Sequence, residues 1–330
     1  MTRVVVPKSK LKELLEGWIA SYRVAAPVMN SGKLVFEEIK DFSDINLEDN
    51  LTYKSPKEFL FPQVEKIMSF GDNAVQTGTP DRKTVVFGVR PCDLDALKVM
   101  TAVFTKGKYI DTFFEKNLDN TILVGMGCLA EKPGCFCGDR GLDKSSSSDC
   151  DIFFSDNGET YTVEILTEKG RPLFEGMKLE EAASPAAIQK NTVSGGILEI
   201  DADENTVFNK INWAKISEKC LGCGICTFIC PTCHCFEFKD TVETGEPVRY
   251  RCWDSCMYPR FTMHASGHNP RASKKERYRQ RIMHKYLYVK KNFGYTACTG
   301  CGRCIRSCPA GMNIKSVVTE IVDNLRSEEF

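Results

Sequence analysis

The chain is 330 residues long and balances 44 basic against 44 acidic side chains, for a formal net charge of zero. That balance argues against nucleic acid as the main partner, and no run approaches the ~18 apolar residues that a membrane span needs. Cysteine is the outlier at 17 residues; clustered, odd in number and in a reducing compartment, such thiols read as metal ligands rather than disulfides.

The N-terminus, MTRVVVPKSKLKELLEG, is too polar for a secretory signal, so a cytoplasmic chain is expected. Within it, residues 8–20 have helical apolar spacing, and 22–28 (YRVAAPV) and 33–38 (KLVFEE) read as short strands. A helix is expected at 62–70 (PQVEKIMSF). TVVFGV at 84–89 is a continuous apolar run of strand length, DLDALKVMTAVF at 93–104 reads as a helix, and TILVGMG at 121–127 as a second buried strand. Strand, helix, strand in this order predicts a parallel crossover unit, with functional groups beyond the carboxyl ends of its strands. Cys92 and Cys128 then emerge at one sheet edge. Residues 151–168 alternate as a hairpin, with Asp156, Asn157 and Gly158 supplying the turn. The stretch 183–196 is small, polar and irregular, and a domain boundary is expected near 205.

Beyond that boundary CLGCGICTFICP (220–231) and CTGCGRCIRSCP (298–309) repeat one pattern, C-x2-C-x2-C-x3-C-P. Three closely spaced cysteines on a Gly-rich loop wrap one cubane, and the fourth belongs to the other cluster. The spacing predicts two [4Fe–4S] clusters, one on Cys220, Cys223, Cys226 and Cys308 and one on Cys298, Cys301, Cys304 and Cys230. Zinc also takes four thiolates, but nothing in a zinc site calls for the third cysteine or the trailing proline. In the N-terminal domain Cys92, Cys128, Cys135 and Cys137 read either as ligands of a third [4Fe–4S] cluster or as buried thiols or a zinc site. Cys150 is a substitute for one of them or a free thiol. Cys233, Cys235, Cys252 and Cys256 read as packing around the clusters or as a further metal site.

Other signals carry less. VGMGCLA at 124–130 imitates a dinucleotide turn, yet the proline and glycines that follow break the helix such a turn must open. His264 and His268 lack the glutamate of a zinc-protease helix. The basic run 271–291 reads as a helix, either with a solvated face or as a positive field beside the clusters. No nucleophile with its base, phosphate loop or acid pair stands out.

Six segments carry a family resemblance: GVRPCDLDAL (88–97), CFC (135–137), CLGCGICTFICPTCHCF (220–236), RCWDSCMYPRFTMHASGHNPR (251–271), RYRQRIMHK (277–285) and CTGCGRCIRSCP (298–309). Through them the chain resembles the iron–sulfur electron-transfer subunits of anaerobic sulfite reductases and the β subunit of cytoplasmic sulfhydrogenases. The resemblance implies a non-catalytic iron–sulfur protein that relays electrons between a flavoprotein handling NAD(P)H and a terminal reductase or hydrogenase subunit. It also implies the third cluster on Cys92, Cys128, Cys135 and Cys137; Cys252 falls outside the pattern. The expected architecture is an α/β domain over 1–204, then a ferredoxin-like 2[4Fe–4S] domain over 205–330 with a helical insertion at about 237–297. Two alternatives stay open: a flavin- or substrate-binding catalytic unit fed by the clusters, and a redox-sensing or structural iron–sulfur protein.

Overall fold

The computed structural model describes residues 2–47, 51–70, 82–176, 180–181, 198–243 and 245–327; the irregular stretch at 183–196 lies outside them. Strands β1 (Thr2–Pro7), β2 (Arg23–Asn30) and β3 (Lys33–Glu38) frame helix α1 (Leu11–Ser21). Then come β4 (Val64–Ser69), β5 (Thr84–Val89), α2 (Pro91–Thr105), α3 (Thr112–Asp119), β6 (Thr121–Met126), β7 (Ile152–Asp156), β8 (Thr160–Ile165) and the two-residue β9 (Glu180–Glu181). Eight of these strands form one sheet in the order β3-β2-β5-β6-β7-β8-β1-β9. The central four, β2, β5, β6 and β7, run parallel, and antiparallel strands flank them.

The apolar run TVVFGV is continuous because both faces of β5 are covered, as parallel strands require. Val85 and Phe87 pack with α1, through Leu14, Leu15 and Trp18, in one buried layer. Val86 and Val89 pack with Leu94, Leu97, Met100 and Phe104 of α2 on the other face. Each fully buried large apolar side chain contributes about 1.5–3 kcal/mol, so this three-layer sandwich is the stable floor beneath the cysteines. α2 begins directly after β5 because Pro91 occupies its first turn, where no N–H is needed and φ is already helical. Cys92 therefore sits in that first turn, and Cys128 follows β6 by two residues.

Two expectations need correction. Residues 62–70 are a strand, β4, not a helix: Ile67 and Ser69 are buried on alternate positions, and β4 pairs with β11 (Glu246–Trp253). The insertion is also only partly helical. It opens on a hairpin of β10 (Phe236–Glu243) and β11, in which aromatic and β-branched residues recur and Gly245 turns at φ +89°. β10, β11 and β4 make a second, three-stranded sheet, so the N-terminal half lends a strand to the C-terminal half. Buried Arg251 on β11 locks this junction, its guanidinium paired with Glu65 of β4 at 2.5 Å and with Asp111, which caps α3.

The remaining helices are α4 (Glu204–Lys210), α5 (Trp213–Ile216), α6 (Ile225–Phe228), α7 (Lys274–Met283), α8 (Val289–Phe293), α9 (Arg303–Arg306) and α10 (Ile314–Ser327). A wide π turn, His284–Tyr288, joins α7 to α8, so the basic run forms one nearly continuous helix. Its apolar residues Ile282, Met283 and Tyr286 pack with Trp213, Val318 and Ile321 into the C-terminal core. Among the described residues no helix is long and apolar enough to cross a membrane.

Candidate metal centres

Each copy of the cysteine pattern folds the same way. Gly224 and Gly302 stand at the starts of α6 and α9 with φ of +78° and +71°, a left-handed turn that costs L side chains dearly. The turn brings three thiols of each loop to one side of a short helix. Cys220, Cys223 and Cys226 line one cavity, and Cys308 from the second copy joins them there. Apolar residues of other elements, among them Met257, Met312 and Ile314, close the rest of its wall. Cys298, Cys301 and Cys304 gather with Cys230 of the first copy: Cys304 lies within electrostatic reach of all three. Each group of three thus has the fourth cysteine of the other copy beside it.

Cys92, Cys128, Cys135 and Cys137 line a further cavity with Arg90, Pro91 and Leu142. The loop carrying Cys135 and Cys137 is held against the second copy by the Phe136 N–H, which donates to the Gly300 carbonyl at 2.8 Å. Arg140 reinforces it, donating to the Cys298 carbonyl at 3.0 Å. Gly300 has no alternative there, since a Cβ on it would meet the backbone of Phe136 and Cys137 at 2.6 Å. Cys301 also lines this N-terminal cavity, and Cys304 also lines the first. The second copy therefore forms part of the wall on both sides. Cys150 is elsewhere, buried in the core behind β6 with its Sγ against Gly125, and takes no part in the lining.

Residues 219–312 match the family described as the 4Fe-4S dicluster domain. Over 319 residues the chain is 31% identical to sulfhydrogenase 2 subunit beta of Pyrococcus furiosus, a match covering 92% of this chain and 93% of the relative. The chain belongs to the sulfhydrogenase beta-subunit family. No solved structure matches it.

The cavities of this family member suit clusters by their charge. Burial pushes the thiols of Cys137 and Cys304 up to about 12 and that of Cys301 to about 11, so as free thiols they would be neutral and inert. Yet buried cations crowd them. Lys285, 3% exposed, donates to the Cys230 sulfur at 3.1 Å, with the Thr232 hydroxyl and the Ala297 carbonyl as its other acceptors. Lys57, 2% exposed, donates to the Cys233 carbonyl at 2.7 Å and lies over the Trp253 ring. Arg281 lines the first cavity, and its buried Nε has no protein partner among the described residues. Burying cations without counter-charge is costly. A metal-bound thiolate is held deprotonated, so a cluster in this cavity would supply both the missing charge and an acceptor for Arg281. Backbone donors add to this: the Gly222 N–H reaches the Cys220 sulfur at 3.4 Å and the Met312 N–H the Cys308 sulfur at 3.3 Å.

The sequence offered the basic run 271–291 only as a solvated face or a positive field beside the clusters, without naming which of its cations are buried. Arg277, Arg281 and Lys285 recur every four residues, and all three are buried on the inner face of the basic helix; that spacing was the available signal. Arg303 pairs with Asp93 in a two-pronged salt bridge, at 2.6 and 2.8 Å, with both side chains 1% exposed. It stands beside Cys301 and Cys92, and no local pattern pointed to its partner. The mimic of a dinucleotide turn is a loop after β6, and His264 and His268 close an exposed turn through backbone pairing.

Proposed function

We propose that this chain is an electron-transfer subunit holding three [4Fe–4S] clusters, one per thiol cavity. Cys220, Cys223, Cys226 and Cys308 hold the first, Cys298, Cys301, Cys304 and Cys230 the second, and Cys92, Cys128, Cys135 and Cys137 the third. The observation that carries the reading is the double role of the second copy: Cys301 lines the third cavity and Cys304 the first. Three one-electron centres with shared walls make a path from the α/β domain to the ferredoxin-like domain, which we divide at about residue 204. The clusters supply reversible single-electron storage. The chain's own residues set their spacing, exclude water and, through Lys285, Arg281 and backbone N–H groups, bias their potentials.

The ends of the path differ in a way that suits two partners. Cys223 is exposed beside Leu221, itself 69% exposed, and Leu129, 65% exposed, follows Cys128 at the other end. We assign these ends to a flavoprotein subunit that handles NAD(P)H and to a terminal reductase or hydrogenase subunit, in a cytoplasmic complex, with no catalytic residue in this chain. Anaerobic iron and sulfide analysis with EPR of the reduced protein tests the count: about twelve irons per chain support three clusters and about eight reject the third. Cys223→Ser is expected to lose one cluster and stop electron flux through the assembled complex. Full turnover with that cluster demonstrably absent would end the relay reading.

A further inference from the structure

Twelve of the 17 cysteines are assigned above, and two of the remaining five face each other. Cys235 precedes β10 directly, and Cys256 lies three residues beyond β11. The Asp254 N–H donates to the Cys235 carbonyl at 2.9 Å, which extends the hairpin one rung past its strands. This pairing brings the thiols of Cys235 and Cys256 into hydrogen-bond contact with one another. The contact stands beside the first cluster cavity. Met257, next to Cys256, lines the first cavity, and the Ser255 hydroxyl is bonded to Thr227 of α6 at 2.8 Å. On the Cys235 side, Lys285 and Lys57 act on its charge, and Lys285 itself touches the Cys230 sulfur.

We propose that Cys235 and Cys256 are a redox-active dithiol that cycles to a disulfide by exchanging electrons with the adjacent clusters. The proposal rests on the reading of those cavities as [4Fe–4S] centres. On oxidation the Cys256 S–H bond breaks, together with that of Cys235 where it is still protonated, one S–S bond forms, the released protons pass to water and two electrons leave, one to each of two oxidised clusters. Reduction runs the same balance backwards, with two reduced clusters as the donors and water as the proton source. The two thiols are hydrogen-bonded at the registered end of a hairpin, the neighbourhood that a disulfide needs.

The pair is also asymmetric. The hydrogen bond from Cys256 holds Cys235 down to about 7, with the two lysines adding, while that same bond and burial push Cys256 well up. A thiolate beside a protonated thiol is the arrangement that thiol–disulfide exchange favours. Cys235 is half-buried and Cys256 is 8% exposed, so water and small reagents reach the pair through Cys235. The functional gain is stoichiometric: clusters pass electrons singly, whereas hydride donors deliver them in pairs, and a dithiol stores one pair.

The test uses the anaerobically purified holoprotein, poised across ratios of reduced to oxidised dithiothreitol, quenched with N-ethylmaleimide, digested and read by mass spectrometry. A linked Cys235–Cys256 peptide is expected at oxidising ratios and two alkylated peptides at reducing ratios, with iron content constant throughout. Reduced methyl viologen, a one-electron donor, is expected to open the link, and to do so at least tenfold more slowly in Cys223→Ser. Cys235→Ser and Cys256→Ser are each expected to keep the full iron content while abolishing the link. If both cysteines stay alkylatable at every ratio, no dithiol couple exists. If either serine variant loses iron, the residue is a ligand and the proposal falls. An opening rate unchanged in Cys223→Ser removes the link to the clusters. A low iron count in the unsubstituted protein would overturn the cluster reading instead, and the peptide assay would still report on the thiol pair by itself.

Discussion

The two copies of the cysteine pattern have the same spacing and the same left-handed glycines, yet they live in different surroundings. In the first copy Leu221 is exposed, and a Cβ added to Gly222 would meet the Met257 carbonyl at an easy 3.7 Å. In the second, Thr299 takes the place of Leu221 and is 3% exposed, and Gly300 abuts the backbone of another loop. Ile225 of the first copy corresponds to Arg303 of the second, which is buried on Asp93. A twelve-residue pattern thus specifies a loop that can wrap a cluster, while the side chains between the cysteines decide whether that loop is exposed or buried against another element.

The sharpest way to break the contrast is to give the second copy the residue of the first. Arg303→Ile strands the Asp93 carboxylate in the interior, and removing one partner of a buried pair costs about 3–5 kcal/mol. A fall in apparent unfolding temperature is expected, accompanied by loss of third-cluster iron because Cys92 adjoins Asp93. The companion Asp93→Leu/Arg303→Ile double variant is expected to recover much of that loss; recovery no better than the single variant would place the cost elsewhere. Next in size, Gly300→Ala should cost more than Gly222→Ala. Both force an alanine into a left-handed turn, φ +69° in each, for about 1–3 kcal/mol. At Gly300 the new Cβ also collides with Phe136 and Cys137, so iron is expected to fall in that variant alone. Equal iron in the two would mean that the loop of the third cavity is not seated on the second copy.

The same contrast shows what the sequence made legible. Cys-rich loops are local objects, held by positive-φ glycines and short helices, so spacing alone made the dicluster domain and the parallel unit bearing Cys92 and Cys128 legible. The run 62–70 misled because PQVEKIMSF is too short to tell a 3.6 period from a period of 2. Its conformation is decided by β11, nearly 180 residues away in the chain. The hairpin inside the insertion was hidden for a related reason: β10 is exposed along almost all of its length, so it has no buried face for alternation to mark. The basic run left a solvated face and a positive field beside the clusters both open, because an isolated cation belongs in water unless the fold brings it a counter-charge. The acceptors that the fold assembles around Lys285, the Cys230 sulfur, the Thr232 hydroxyl and the Ala297 carbonyl, make its burial tolerable.

Acid pH is expected to weaken the surroundings of the second copy through two histidines. Burial lowers His234 to about 4, and burial with the neighbouring His234 ring lowers His284 to about 3, against an ordinary value of 6.5. Both are therefore neutral when folded and take up protons when unfolded. Stability from this source is complete above pH 6.5, is lost as pH falls, and stops changing below the folded values. The slope is about 1.4 kcal/mol per pH unit for each group. Apparent unfolding temperatures at pH 7 and pH 5 check it: His284→Asn should show a smaller acid drop than the unsubstituted protein. An equal drop would assign acid sensitivity to other groups.

The finest test leaves both clusters in place and moves only their potentials. Reduction adds an electron to an already anionic centre, so a cation bonded to one of its sulfurs stabilises the reduced form and raises the potential. Lys285 makes that bond to Cys230, which we assign to the second cluster; Arg281 faces the first. Lys285→Met keeps the length and bulk of the side chain and removes the charge. The potential of the second cluster should therefore move down relative to the first, where a loss of about 1.4 kcal/mol in a one-electron couple corresponds to about 59 mV. EPR-monitored titration of the variant reads the two centres separately. A downward shift of one signal alone would tie Cys230 to the second cluster through its own lysine, whereas equal shifts of both would mean that Lys285 acts as a field across the whole domain and that the two copies, for all their different neighbours, share one electrostatic environment.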